Sequence, residues 1–395
     1  MTKGEGMKNL TCYKGVGYNS FLTMGAAATY ISAVMPLIRE SLSLTYAQVG
    51  MIFAAKSTGY LLGALLIGIL IDFIGTKKPL LLSYISIPSG ILIFSLSQSA
   101  VGLIIGNFLV GLGSAVIEIA VPPLSSAFEG KSGKLLNLVH SFYALGAMLS
   151  PFVASLMIAN NLPYMAFLFI IAGYTCVPLY FSTQLKTHIP KREKKADKES
   201  ASEYLSLFKN KYFWIILTTI FFYVGSEASI SSWAPTYSVD YRSYSKELSS
   251  LLPSLFWIGL FIGRFTSASW VDKVGKTKWL LIITSVGIPI AFFAQLPPDS
   301  FVFLAIFIFF SGLIHASIFP TLQSILVDKI KKNIGLALSI FSFSASAGVT
   351  LTSFIIGTLS SNVGLKAGYF VPFVMFFGVF AMVFIFSIYS KKTEE

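Results

Sequence analysis

Residues 59–78 read GYLLGALLIGILIDFIGTKK, and residues 259–278 repeat the same pattern as GLFIGRFTSASWVDKVGKTK. Each stretch passes from an apolar segment with two glycines four positions apart into a loop that carries aspartate, glycine and lysine. Other matches lie at the same shift of 200, or within a few residues of it: Gly25 with Gly225, Pro88 with Pro289, Pro123 with Pro320, and Gly146 with Gly348. This agreement predicts a chain that consists of two copies of one unit.

Composition places both copies in a membrane. Of the 395 residues, 55% are hydrophobic and only 12% are charged, and the mean hydropathy is +0.75. Soluble domains carry about one charged residue in four, so a water-soluble fold is excluded. Twelve apolar segments, spans 1 to 12, are long enough to cross a hydrocarbon core of about 30 Å. We therefore predict an all-α membrane protein with twelve transmembrane helices in two pseudo-symmetric six-helix bundles.

One polar stretch separates the predicted bundles. It contains the mixed-charge run KTHIPKREKKADKESASEY, which has too few apolar residues to pack. We assign residues 1–184 to an N-terminal bundle, residues 185–210 to a cytoplasmic linker, and residues 211–395 to a C-terminal bundle.

The net charge of +12 follows membrane topology and does not point to nucleic acid. With the N-terminus inside, the cytoplasmic segments hold 23 of the 29 Lys and Arg residues, whereas the external segments hold four. This positive-inside bias predicts a multi-pass protein of the cell membrane with both termini in the cytoplasm. The expected partners are the lipid bilayer and a small solute, and we expect the chain to act as a monomer.

Several classes of site have no support in the sequence. The cysteines, Cys12 and Cys176, and the linker residue His188 do not form a ligand cluster, so no metal site is expected. The sequence also contains no Walker lysine loop and no convincing catalytic Ser, His and Asp constellation. We therefore expect no cofactor, no direct ATP coupling and no enzymatic activity.

The two repeated loops resemble a family signature. Residues 68–78, GILIDFIGTKK, are similar to the major facilitator pattern G-x-x-x-D-R/K-x-G-R/K-R/K, with Phe73 in place of a basic residue. The second copy, ASWVDKVGK at residues 268–276, keeps the basic residue and loses the first glycine. The resemblance implies a latch that joins helices within each bundle and gates transport. The gating residues that it implies are Asp72, Gly75, Arg264, Asp272 and Gly275.

Further segments resemble the fucose permease and sodium-glucose-transporter-like branch of sugar permeases within that superfamily. They are GLGSAVIE at residues 111–118, LNLVHSFYALGA at residues 136–147, and YVGSEASISSWAPTY at residues 223–237. This resemblance implies a secondary active transporter that moves a small polar solute, most simply a sugar, by alternating access. The implied coupling ion is a proton, with sodium as the alternative.

Ionisable residues inside spans are the candidates for ion coupling. A charged group there costs about 3 to more than 10 kcal/mol, so it needs a function or a partner. Glu118 lies on a stripe of small and polar residues of span 4, and His140 of span 5 reaches a similar depth. We predict that Glu118 is the proton-coupling carboxylate, assisted by His140 or by Lys56 of span 2. A permanent structural ion pair between Glu118 and Lys56 is the alternative.

Span 7 is predicted to contact the substrate. The serine-rich stretch around Glu227 has weak helical support, which predicts a broken helix. A carboxylate near Trp233 and Tyr237 suits the hydroxyl edges and the apolar face of a sugar. Anchoring of this Trp and Tyr at the membrane interface is the alternative.

Three more residues complete the predicted substrate site. His315 of span 10 occupies the repeat position of Glu118, Gln323 shares its helix face, and Asn137 belongs to span 5. A histidine that only joins helices through hydrogen bonds is the alternative for His315.

Other functions fit the same architecture. Proton-driven efflux of amphipathic compounds is one, and transport of an organic anion, with Lys56 as its counter-charge, is another. Outside transport, a membrane sensor that kept the fold is the competing class.

Overall fold

The structure, a computed structural model, confirms the helical membrane architecture. It describes the backbone of residues 3–75, 77–124, 132–185, 207–330 and 334–394. These residues form helices and no strand, and twelve stretches are long and apolar enough to cross a membrane. The predicted linker of residues 185–210 falls almost entirely outside the described residues, so the domain boundaries stay a prediction.

The first six spans follow the order predicted from the sequence. Spans 1 to 5 are single helices, and span 6 consists of two short helices separated by Thr175. Their bounds are Lys3–Ser41, Tyr46–Ile74, Lys77–Leu96, Ala100–Leu124, Ser132–Ala159, and Ala166–Tyr174 with Cys176–Gln184.

The last six spans contain more interruptions. Spans 8, 10 and 12 each consist of two helices, and spans 7, 9 and 11 are continuous. Their bounds are Lys211–Asp240, Lys246–Ser250 with Leu252–Val274, Lys276–Gln295, Phe301–His315 with Ile318–Lys329, Ile334–Asn362, and Leu365–Tyr369 with Val371–Glu394.

The chain divides into two compact units. The first comprises residues 1–195 together with residues 246–254, and the second comprises residues 196–245 and 255–395. In the first unit, span 1 packs mainly against span 5 and span 2 against span 4. In the second unit, span 7 packs against spans 11 and 12.

The repeated glycines mark places where helix backbones touch. A Cβ on Gly59 of span 2 would lie 2.1 Å from a carbonyl oxygen of span 4, that of Phe108. At the equivalent place in the second unit, a Cβ on Gly259 of span 8 would lie 2.0 Å from the Phe309 carbonyl oxygen of span 10. Only glycine allows helices to approach this closely. The duplication therefore preserved two matching helix crossings.

Replacing Gly259 with alanine is expected to destabilise the second unit. Forcing a methyl group against backbone costs about 1–3 kcal/mol, which lowers the midpoint of thermal unfolding by about 2–10 °C. The measurement is the unfolding midpoint of the detergent-solubilised chain. Gly173→Ala is the matched control, because no heavy atom outside its own helix turn lies within 4 Å of the added Cβ. Equal midpoints for the two variants would contradict the crossing.

The predicted break in span 7 is wrong. Lys211–Asp240 is one continuous helix, although it contains Pro235. Serine and threonine side chains can bond to carbonyls of their own helix or a neighbouring one, so a serine-rich stretch stays helical when its hydroxyls find such acceptors. Ser226, for example, donates to the Pro372 carbonyl oxygen at 2.9 Å. The interruption lies instead in span 10, at Ala316 and Ser317.

Candidate functional site

Glu118 of the first unit has a tyrosine partner that sequence patterns did not reveal. The hydroxyl of Tyr60, on span 2, forms a hydrogen bond with the Glu118 carboxylate, on span 4. The crossing of these spans brings the two residues together, since a Cβ on Gly111 would lie 1.9 Å from the Lys56 carbonyl oxygen. Glu118 and Tyr60 are both half-buried.

Lys56 supplies a positive charge near this pair. It lies one helical turn before Tyr60 and acts electrostatically on Glu118. Among the contacts of the described residues, however, Lys56 and Glu118 do not form an ion pair within 4.0 Å. The direct partner of the carboxylate is therefore a neutral hydroxyl, with the ammonium as a more distant neighbour.

The remaining predicted residues of the first unit are His140 and Asn137. His140 is exposed, and its ring meets Phe21 of span 1 edge-on at a centroid distance of 5.0 Å. The contacts that the structure gives Glu118 are with Tyr60 and Lys56, so its meeting with His140 stays a prediction. The side chain of Asn137 lies outside the described residues.

Glu227 of the second unit has the same kind of neighbours. The hydroxyl of Tyr223, one turn earlier on span 7, donates a hydrogen bond to the Glu227 carboxylate. Arg264 of span 8 acts electrostatically on both residues. Glu227 is half-buried, whereas Tyr223 has no exposed surface. Each unit thus contains a half-buried glutamate, a tyrosine hydroxyl bonded to it and a nearby cation.

His315 is enclosed next to this group. Its ring is surrounded by Tyr223, Phe256 and Phe376 at centroid distances of 5.7, 5.8 and 4.9 Å. Nδ1 lies 2.7 Å from the Ser311 carbonyl oxygen, and because a carbonyl only accepts, Nδ1 carries a proton. Nε2 lies 3.2 Å from Ser226 Oγ of span 7. The ring has no exposed surface, and its Nε2 contacts span 7 at Ser226.

Trp233 and Tyr237 are also fully enclosed. Both have 0% exposure, so neither lies at a lipid-facing surface, and neither can touch a solute without rearrangement of span 7. The Tyr237 ring stacks on Tyr369 at 4.1 Å, and its hydroxyl accepts a hydrogen bond from Arg242 Nε at 3.1 Å. Gln323 is exposed. Substrate contact by these residues stays a prediction.

The loop residues predicted to gate transport are described in part. Gly75 and Gly275 have φ angles of 76° and 88°, in the left-handed region that favours glycine, so both loops need glycine there. The side chains of Asp72 and Asp272 lie outside the described residues. Next to the first glycine, Lys77 Nζ donates to the carbonyl oxygens of Thr183 and Leu185, at 3.1 and 3.2 Å, and so caps the end of span 6.

Sequence reasoning missed both tyrosines of the site. A signal was present, because Tyr60 follows Lys56 by four residues and Tyr223 precedes Glu227 by four, a spacing that places side chains on one helix face. Tyrosine is common in membrane spans, however, so this spacing alone does not single out a functional pair. Within the described residues, no group of three or more His, Cys, Asp and Glu side chains could hold a metal ion.

Twelve apolar spans, an internal repeat and a half-buried glutamate in each unit are typical of a membrane transporter. A model of the Major Facilitator Superfamily matches residues 18–294 and 244–395, so the chain belongs to this family. It is a multi-pass membrane protein.

Curated relatives and a solved structure agree with this assignment. The glucose/mannose transporter GlcP of Bacillus subtilis (strain 168) is 26% identical over 86% of this chain and 86% of its own length. A putative glucose/galactose transporter of Helicobacter pylori (strain J99) is 24% identical over 95% of this chain and 96% of its own length. The crystal structure of a D-xylose-proton symporter matches 95% of this chain and 97% of its own, with a TM-score of 0.76 and 16% identity. The last similarity concerns the fold alone.

Proposed function

We propose that this chain is a proton-coupled sugar transporter of the cell membrane that works by alternating access between its two bundles, with both termini in the cytoplasm. The observation that carries the proposal is the half-buried glutamate bonded to a tyrosine hydroxyl in each unit, Glu118 with Tyr60 and Glu227 with Tyr223. One carboxylate is available for the coupling proton and the other for the solute.

The chemistry of Glu227 suits a neutral polyol. An ionised carboxylate accepts several hydrogen bonds, and hydrogen bonds to a charged acceptor are about twice as strong as those between neutral groups. Sugar hydroxyls are such donors. Two relatives that align with most of this chain carry the names of hexose transporters, which favours a hexose as the solute.

The chemistry of Glu118 suits proton coupling. In this proposal a proton binds to and leaves Glu118, which is half-buried, as the cavity opens and closes. Its direct partner is the neutral Tyr60 hydroxyl, so no bound cation has to be displaced before protonation.

The repeated loops act as the gating latch in this proposal. Asp72 and Gly75 serve the first bundle, and Asp272 and Gly275 serve the second. Arg264 connects the second loop with the solute site, because it lies two turns before Asp272 and acts electrostatically on Glu227.

Uptake by the purified chain in proteoliposomes tests the proposal. We expect one or more labelled hexoses of a panel to accumulate when the side of entry is acidic, and we expect a protonophore to abolish accumulation. Protein-free liposomes are the control. Uptake that depends on a sodium gradient and not on pH would contradict the proposal that the proton is the coupling ion. If the folded chain transports no hexose of the panel, the proposal that the solute is a sugar is wrong. This outcome would favour the efflux or sensor alternatives.

A further inference from the structure

The interruption of span 10 lies directly beside the solute carboxylate. The helix Phe301–His315 ends there, and the helix Ile318–Lys329 begins after the two intervening residues Ala316 and Ser317. These two residues keep right-handed helical backbone angles, but Pro320 has no N–H to donate one turn back, so the backbone hydrogen-bond ladder is interrupted here. The hydroxyl of Tyr223 adds a hydrogen bond at this turn, because it lies 2.9 Å from the His315 carbonyl oxygen.

Tyr223 therefore has two acceptors and one proton to donate. Its hydroxyl contacts the Glu227 carboxylate and the His315 carbonyl oxygen at the same time. A phenol carries a single O–H, so only one acceptor receives the full hydrogen bond at any moment. An ionised carboxylate is the stronger acceptor of the two. When Glu227 is ionised, the Tyr223 hydroxyl donates its hydrogen bond to the Glu227 carboxylate. The His315 carbonyl oxygen then loses the hydrogen bond from Tyr223.

Protonation of Glu227 changes which acceptor receives the hydrogen bond from Tyr223. A neutral carboxyl group has its own O–H, which can donate to the phenolic oxygen of Tyr223. The Tyr223 proton is then free to bond to the His315 carbonyl oxygen and to stabilise the end of the helix. One proton on Glu227 thus decides whether Tyr223 donates to the His315 carbonyl oxygen at the break in span 10.

We infer that Tyr223 is a positioning residue that transmits the ionisation state of Glu227 to the break in span 10. This inference rests on the proposed function, in which Glu227 belongs to the solute site, and it adds a link between that site and the backbone of a second span. Half-helices at an interrupted span are typical moving parts of transporters.

Among the described residues, the ionisable groups that bond to Glu227 or act on it electrostatically are Tyr223 and Arg264 of span 8. His315 of span 10 donates from Nδ1 to the Ser311 carbonyl oxygen, and its Nε2 lies 3.2 Å from Ser226 Oγ. Span 11, residues 334–362, contains no charged residue, and the contacts of span 12 with this region come from Phe376 and the Pro372 carbonyl.

A second hydrogen bond at the same break provides a matched control. Trp279 of span 9 donates from Nε1 to Ser317 Oγ at 2.9 Å. This contact joins the interrupted segment to a neighbouring span, as Tyr223 does, but it involves no ionisable group. Trp279→Phe therefore loosens the break without cutting its link to Glu227.

Hydrogen–deuterium exchange of the full chain in lipid nanodiscs tests the inference. In the wild type we expect residues 312–321 to exchange at least about threefold faster at about pH 8 than at about pH 5.5, after correction for the intrinsic pH dependence of exchange. In Tyr223→Phe exchange should be fast at both pH values, and the difference should disappear. Trp279→Phe should speed exchange at both pH values and keep the difference.

The inference has outcomes that overturn it. If Tyr223→Phe keeps the wild-type difference, Tyr223 is only a packing residue. If Tyr223→Phe does not fold, Glu227→Gln tests the inference instead. A carboxamide does not titrate, so this variant must also lose the difference in exchange between the two pH values. The hydrogen–deuterium exchange measurement needs no sugar, so it tests the inference separately from the proposed function. If the proposed function fails, the chain takes up no sugar but still exchanges residues 312–321 faster at high pH than at low pH.

Discussion

Glu118→Gln is expected to abolish the accumulation of sugar while leaving exchange of labelled for unlabelled sugar intact. Glutamine keeps the shape of the side chain and its hydrogen bond with Tyr60, but it cannot bind and release a proton. A gradient of about one pH unit is worth about 1.4 kcal/mol, which supports about tenfold accumulation when one proton moves with each sugar. In the variant this ratio should fall to about one. The measurement pairs accumulation under a pH gradient with counterflow at equal pH.

Glu247→Gln is the matched control for this prediction. It makes the same chemical change in a carboxylate in the first turn of the helix Lys246–Ser250, at the start of span 8, and both accumulation and exchange should stay at wild-type levels. If Glu118→Gln accumulates sugar as the wild type does, Glu118 is not the coupling residue. If it loses folded protein and both activities together, the structural alternative, a stabilising pair with Lys56, gains support.

Glu227→Ala is expected to show the opposite pattern, with loss of exchange as well as accumulation. Removal of a charged acceptor costs about 1.5–3 kcal/mol per hydrogen bond to the solute, which weakens sugar binding about 10- to 150-fold. The half-saturation concentration for counterflow should rise by this factor. Asp299→Ala is the control, because this carboxylate belongs to the same unit and its side chain is 85% exposed.

The two variants together separate the roles of the carboxylates. Exchange that survives in the Glu118 variant and fails in the Glu227 variant would assign coupling to the first unit and solute binding to the second. A half-saturation concentration that stays unchanged in Glu227→Ala would contradict the solute role. In that case the accessible Gln323 and the Glu118 group would become the first candidates for contact with the sugar.

Sequence reasoning succeeded where a local property decides the outcome. Twelve apolar segments become twelve spans because a membrane allows hardly any other structure for them. The repeated Gly59 and Gly259 indicated the duplication, and the structure shows both at helix crossings, where only glycine permits the approach. Gly75 and Gly275 take the left-handed conformation that their loops require. Each of these outcomes depends on one residue type and its immediate neighbours.

The site depended on relations that local patterns do not contain. A span is apolar on nearly all sides, so its periodicity does not indicate which face meets another helix. Trp233 and Tyr237 therefore looked accessible in the sequence and are enclosed in the structure. The serines around Glu227 suggested a break in span 7, whereas their helix is continuous and the interruption lies in span 10.

The sequence by itself determined that the chain lies in a membrane, how many spans it has and that it is duplicated. It also identified the ionisable residues inside the spans, each of which needs a function or a partner. Only the tertiary structure decided that Tyr60 meets Glu118 and that Tyr223 stands between Glu227 and the end of a helix in span 10. The physical reason is that a buried carboxylate requires a hydrogen-bond partner, but its chemistry does not specify which residue supplies it. The rotation and crossing of packed helices make that choice.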